Sequence, residues 1–191
     1  KRKPGPSLLK ISSKVSKKFF KSWVWSPKSF NAHAKMPAFF NQDNNSRPDF
    51  MKKNIAEVNA MAEFVWSKSQ PYKPFMRYTG GDAKKGKELI GTVGCIGCHG
   101  VEGFPVASEK IDAYAGPYLT GTGSKVNADW LVSWLKKPSH YQEDTIMPSF
   151  RLSDREANDL TAYLMSLKNK KFEKLNFEKS DDSSRDQILL A

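Results

Sequence analysis

All-α is the fold class the sequence predicts, and three segments predict it. "SDREANDLTAYLMSLK" opens with Ser153 and Glu156 at the spacing of a capping box and lines up Leu160, Tyr163, Leu164 and Leu167 as a buried stripe. "GDAKKGKELI" begins with Asp82, a residue type that caps helix starts. "EVNAMAEFVWS" and the residues just before it place Ile55, Val58, Met61, Ala62 and Val65 on one face. "NADWLVSWLKKP" reads as a further helix, with Asn127 as its candidate cap and Pro138 past its end. The 191 residues, 39% hydrophobic and 12% aromatic, suffice for one large core or two small ones, which excludes a disordered chain.

The net charge of +11 is uneven. Residues 1–22 hold Lys1, Arg2, Lys3, Lys10, Lys14, Lys17, Lys18 and Lys21 and no acid. Such a face steers an acidic partner or an anionic surface, or simply keeps the chain soluble. It lacks a nucleic-acid-binding motif, so no nucleic acid is expected. No run of eighteen apolar residues is present, so no membrane span is expected.

The chemistry concentrates in "GTVGCIGCHG", which holds both cysteines of the chain. Cys95, Cys98 and His99 spell C-x-x-C-H, the pattern of c-type haem attachment. Two thiols three positions apart on a helical turn reach the two vinyl groups of one porphyrin, and the adjacent imidazole falls on the iron. Three other uses compete. A zinc site needs four ligands and would have to recruit His33 or His140. A redox pair wants a strand before it, and a disulfide closing so short a loop stabilises little.

Residues 80–168 resemble a class I cytochrome c domain. The resemblance rests on "GDAKKGKELI", C-x-x-C-H, the loop "GPYL" at residues 116–119, "NADWLVSWLKKP", the methionine loop "TIMPSF" and "SDREANDLTAYLMSLK". It implies that Cys95 and Cys98 hold haem c, that His99 is the proximal iron ligand, and that Met147, presented by Pro148, is the distal one. It further implies that the Pro117 carbonyl orients the imidazole. Tyr118, Trp130 and Trp134 are candidates for the haem wall or for plain core packing. His140 is a rival sixth ligand.

Laying the chain over itself exposes a repeat. At an offset of 116 − 5 = 111, Gly5-Pro6 meets Gly116-Pro117, Trp23 meets Trp134, Pro27 meets Pro138, and Met36-Pro37 meets Met147-Pro148. Beyond the methionines the offset becomes 156 − 57 = 99, and "NQDNNSRPDFMKKN" reads as a loop carrying the difference. Residues 1–66 therefore resemble the C-terminal half of a second cytochrome c domain, whose attachment motif falls upstream of Lys1. Met36 is then a distal ligand or a packing residue, and His33 a surface residue or rival ligand. Either the chain is part of a longer multihaem protein, or another polypeptide supplies the missing half, or the half-domain has no haem. An isolated half would leave Trp23, Trp25, Phe39 and Phe40 without a core. Residues 67–79 read as a linker and 169–191 as a charged docking tail or linker.

Histidine and methionine ligation leaves iron no open position, and the soft thioether raises its potential. The expected function is electron transfer, as a multihaem relay or the cytochrome subunit of a respiratory redox complex, and not catalysis. Glu143 and Asp144, near Met147, show no pairing suited to acid–base work. An acidic redox protein or other cytochrome domains are the expected partners. The resemblance implies the periplasm or an equivalent positive side of an energy-transducing membrane. Two alternatives stand: the cytochrome module of a peroxidase or other oxidoreductase, and a haem-free N-terminal docking module on a monohaem cytochrome.

Overall fold

The computed structural model describes residues 5–32, 34–40, 42, 47–105 and 116–175. Lys1 to Lys3, His33 and the apolar end of the tail lie outside them. The described residues form helices and turns and no strand, as the sequence predicts. The chain divides into two compact units, Tyr72–Asn169, and Lys1–Pro71 together with Lys170–Ala191.

The Tyr72–Asn169 unit contains α5 (Ala83–Thr92), α6 (Thr122–Lys125), α7 (Ala128–Lys136), α8 (Pro138–Tyr141) and α9 (Asp154–Ser166). Helix α9 is the hub, with α5, α7 and α6 packed against it. Ile90, Val132, Leu160 and Leu164 are fully buried. Leu167, expected on the same stripe, is only partly covered. Two glycines let the backbones close. A Cβ on Gly86 would fall on the Asp159 carbonyl and 2.8 Å from the Tyr163 Cβ, and a Cβ on Gly123 would fall on the Met165 carbonyl. Asp82 caps α5, accepting from the backbone N–H of Lys84 and Lys85, while its own N–H donates to Asp159 Oδ1 at 2.6 Å. Asn127 stands at the N-cap position of α7 but makes no side-chain cap bond.

The capping box on α9 is complete: Ser153 Oγ accepts from Glu156 N–H at 3.2 Å, and Glu156 Oε2 accepts from Ser153 N–H at 2.8 Å. The Ser153 hydroxyl, then its backbone N–H, hold the Glu156 carboxyl below its ordinary range. A carboxyl so depressed stabilises the fold above its unfolded pKa, and that contribution fades as pH falls through the folded value. Ser153→Ala is expected to cost about 1 kcal/mol and to flatten the acid side of the stability profile, measured by urea unfolding between neutral and acid pH.

Residues 72–79, expected as a linker, are bonded into this unit. Tyr72 Oη and Ser133 Oγ share a hydrogen bond of 2.8 Å, and Phe75 N–H donates to the same Ser133 Oγ at 2.7 Å. Tyr78 N–H donates to Asp129 Oδ1 at 2.9 Å and Thr79 N–H to Asn158 Oδ1 at 3.1 Å. The segment's free backbone donors find side-chain acceptors on α7 and α9, which fixes it.

The other unit comprises α1 (Ile11–Lys14), α2 (Lys17–Trp25), α3 (Pro27–Phe30), α4 (Pro48–Lys68) and α10 (Lys170–Glu173). Helices α1, α2 and α3 fall at the 111-residue offset from α6, α7 and α8, end for end. Backbone angles repeat as well: Ser26 and Lys137 have φ −151° with ψ of 79° and 83°. Val24, Trp25 and Val58 form a core with Phe20, Met36, Phe40, Met51 and Ile55 packed on it. A second, aromatic cluster of Phe19, Trp23 and Phe30 is closed by Phe172, buried at the tail's start, with ring centroids 5.4 Å from Phe19 and 4.9 Å from Phe30.

Three expectations are corrected. The segment expected as a loop turns helical at Pro48, because extended Arg47 (ψ 149°) leads into a proline at the first helical position, where its missing N–H costs nothing. Trp25 is buried in a core of the unit's own, supplied by α4, whereas Phe39 is exposed. Met61 is not part of the buried face of α4: Val58 and Ala62 are, and Met61 lies at its edge, 37% exposed.

Candidate haem site

Helix α5 ends at Thr92, and Gly94, whose φ of 93° only glycine adopts cheaply, turns the chain into a 3₁₀ turn at Cys95–Gly97. His99 N–H and Cys98 N–H both donate to the Cys95 carbonyl, at 3.0 and 3.2 Å. The turn thus sets the two thiols and the imidazole on one short arc. Cys95 is buried, Cys98 exposed, and both are free thiols. Burial pushes the Cys95 thiol up, so it stays protonated near neutrality.

The "GPYL" loop returns to this arc through two backbone bonds, Gly116 N–H to Cys98 O at 2.7 Å and Leu119 N–H to Gly100 O at 2.9 Å. His99 Nδ1 lies 2.6 Å from the Pro117 carbonyl. A carbonyl only accepts, so Nδ1 carries the hydrogen and the Nε2 lone pair is left for a metal. Burial lowers the His99 pKa and the Pro117 bond opposes it, leaving a neutral ring, the form that ligates. Gly116 is required here, because a Cβ would collide with the imidazole. Tyr118 lies across Gly100 and is 39% exposed.

A second cluster gathers the remaining predicted residues. Trp130 and Trp134 stack at 5.3 Å, and Tyr141 meets both edge-on. Trp134 Nε1–H donates to Met147 Sδ at 2.8 Å, and Met147 N–H donates to Thr145 Oγ1 at 3.2 Å. A thioether sulfur has two lone pairs, so the indole takes one and the other is free for a soft metal bond. In the other unit Trp23 Nε1–H donates to Met36 Sδ at 3.0 Å, the same pair at the same spacing. Met36 also packs on its unit's core, so contact alone accommodates both readings of it.

The rival ligand is engaged elsewhere: His140 Nε2 bonds the Lys73 carbonyl at 3.0 Å, with Tyr72 and Phe75 rings against the imidazole. Glu143 and Asp144 are exposed. Among the described residues no three His, Cys, Asp or Glu side chains gather as a metal cage would need. The sequence reading missed the indole–sulfur bonds, although the repeated Trp-to-Met spacing was the available signal. It also missed Ser133, which nothing in its neighbourhood marks.

Two free thiols, a tethered imidazole and an anchored thioether in a helical unit fit haem bound through Cys95 and Cys98. Residues 83–168, slightly less than half of the chain, match the family described as Cytochrome c. That match supports covalently held haem c and electron transfer in general. No curated protein and no solved structure matches the chain.

Proposed function

We propose that the chain carries electrons with haem c attached at Cys95 and Cys98 and ligated by His99 and Met147. In this reading Met36 serves a second haem, and the chain works as a multihaem relay or as the cytochrome subunit of a respiratory redox complex, in the periplasm or its equivalent. The observation that carries it is the pair of anchored donors: an imidazole fixed by Pro117 and a thioether fixed by Trp134. When bound, the haem would supply a one-electron iron couple, with Cys95, Cys98, His99 and Met147 as the residues that would hold it.

The chain's own part is to hold these donors still. Pro117 keeps the His99 hydrogen on Nδ1, and Gly116 lets the loop close on the ring. Trp134 withdraws density from the sulfur through its N–H, which favours the reduced state. The reduced native protein at neutral pH is expected not to bind carbon monoxide; prompt binding of one equivalent per haem would sink the closed-site reading in favour of an enzyme.

The partner is an acidic redox protein or another cytochrome domain. Supporting this are the basic residues of the first unit, of which Lys18 is exposed while Lys17 is already paired with Glu63 at 2.9 Å. Raising salt from about 0.01 to 0.15 M shortens the screening length from about 30 to 8 Å. The second-order rate of electron transfer to such a partner is expected to fall about tenfold or more over that range; a rate indifferent to salt in stopped-flow mixing would remove the steering role.

A further inference from the structure

The chain around Met147 is held at more than the sulfur. Lys136, the last residue of α7, follows Trp134 by two positions, and its ammonium donates to the Leu152 carbonyl at 2.6 Å and pairs with Asp154 Oδ1 at 2.8 Å. Its own carbonyl accepts from Ser149 Oγ at 3.3 Å. Together with the Trp134 indole on Met147 Sδ, these bonds pin residues 147–154 to the end of α7. The Lys136 side chain is only 18% exposed, and a charge so covered is tolerated where oxygens pair with it. Between Ser149 and Leu152 sits Arg151, whose φ of 51° is the one positive value outside glycine among the described residues. Strained backbone of this kind persists where its neighbours hold it, and here they are the bonded Ser149 and the buried Leu152.

The other unit closes the same stretch with different chemistry. At the 111-residue offset Lys136 meets Trp25 (136 − 111 = 25) and Arg151 meets Phe40 (151 − 111 = 40). Those two rings stack, with centroids 5.9 Å apart and planes 8° from parallel. Two positions before Trp25, Trp23 again holds the methionine sulfur. In both units the helix end that carries the sulfur-gripping indole also grips the chain beyond the methionine.

We propose that Lys136 is a positioning residue for the methionine ligand: its ammonium, shared by the Leu152 carbonyl and the Asp154 carboxylate, clamps the Met147 loop to α7 and so sets how often the thioether is released. The inference rests on the reading of Met147 as an iron ligand given above. A methionine leaves its metal only when its loop gives way, so the bonds beyond the sulfur govern the fraction of molecules with a free site. The indole N–H is one donor on a soft, weak acceptor. The ammonium makes charge-assisted bonds, roughly twice as strong as neutral ones. A cation at the end of α7 also suits the helix dipole, which would serve the fold alone. The bond to the Leu152 carbonyl is what couples it to the ligand loop.

In the native haem-loaded protein, Met147→Ala first identifies the sulfur-to-iron charge-transfer band that belongs to Met147. Lys136→Met keeps the length of the side chain and removes its charge. In that variant the band is expected to weaken, and imidazole is expected to bind the oxidised Cys95/Cys98 haem about tenfold more tightly, because the open fraction that admits it has risen. Backbone amides of residues 149–152 are expected to exchange with solvent about tenfold faster. Lys136→Arg, which keeps the charge and the donors, is expected to restore most of each. Should Lys136→Met not fold, Asp154→Ala carries the test, with a shift of about twofold in the same direction, because that carboxylate is the more exposed partner. A band and an imidazole affinity equal to the parent's in the variant tested overturn the inference, and so does a lowered urea midpoint with both unchanged, the mark of a role in stability alone. Either result leaves Met147 as the ligand. A Met147→Ala spectrum identical to the parent's strikes the proposed ligation, and this inference with it.

Discussion

Gly86→Val is expected to destabilise the Tyr72–Asn169 unit by about 3 kcal/mol or more. The position for a Cβ is already taken by the Asp159 carbonyl and crowded by the Tyr163 Cβ. Backbone of α9 cannot swing aside like a flexible side-chain tip. Any retreat of α5 would also pull Asp82 N–H from Asp159 Oδ1 and uncover Ile90, Leu160 and Leu164, all fully buried. Small single domains hold only about 5–15 kcal/mol in reserve, so one such change is a large share of the whole. Gly97→Ala is the control, since nothing lies within 4 Å of its Cβ position, and it is expected to move the urea midpoint little. A Gly86→Val midpoint equal to that of the parent would mean that the α5–α9 approach is looser than described.

Met147→Ala carries the largest expected effect on function. Under the proposed ligation, loss of the thioether is expected to remove the sulfur-to-iron charge-transfer signal. The potential is expected to drop by a sizeable part of the about 0.8 V range over which axial ligands tune haem iron, read by spectroelectrochemical titration. Carbon monoxide then binds the reduced variant at the Cys95/Cys98 haem. Trp134→Phe separates ligand from anchor: it keeps the sulfur but removes the N–H that holds it at 2.8 Å, so the signal is expected to weaken and shift, not vanish. Should Met147→Ala keep the parent's spectrum and potential, another residue is the sixth ligand.

What the sequence made legible was local. The Asp82 and Ser153 caps, the α9 stripe and the C-x-x-C-H turn each depend on residues within a few positions of one another, and the structure bears them out except for Leu167 at the stripe's end, which is only partly covered. The start of α4 at Pro48 was misread because asparagines and a proline look like loop, although proline at a helix's first position is favourable. Pairings across distance were hidden. Nothing in the sequence around Ser133 says that Tyr72 and Phe75 will share its hydroxyl, and nothing around Met61 says that the helix turns that side outward. The site divides the same way: the two thiols and the imidazole are a spacing, while the indole bond to Met147 is a contact between α7 and a later loop.

Phe172 gives the unit of Lys1–Pro71 and Lys170–Ala191 an unusual history. Its ring closes on Phe19, 172 − 19 = 153 positions earlier, after the whole of the intervening unit has been made. At about 5–20 residues per second of synthesis, Phe19, Trp23 and Phe30 wait for their covering ring while the Tyr72–Asn169 unit emerges and has time to fold. The unit whose helices are synthesised before the Tyr72–Asn169 unit is therefore finished after it, and its aromatic cluster stays wet, and open to chaperones, throughout that interval.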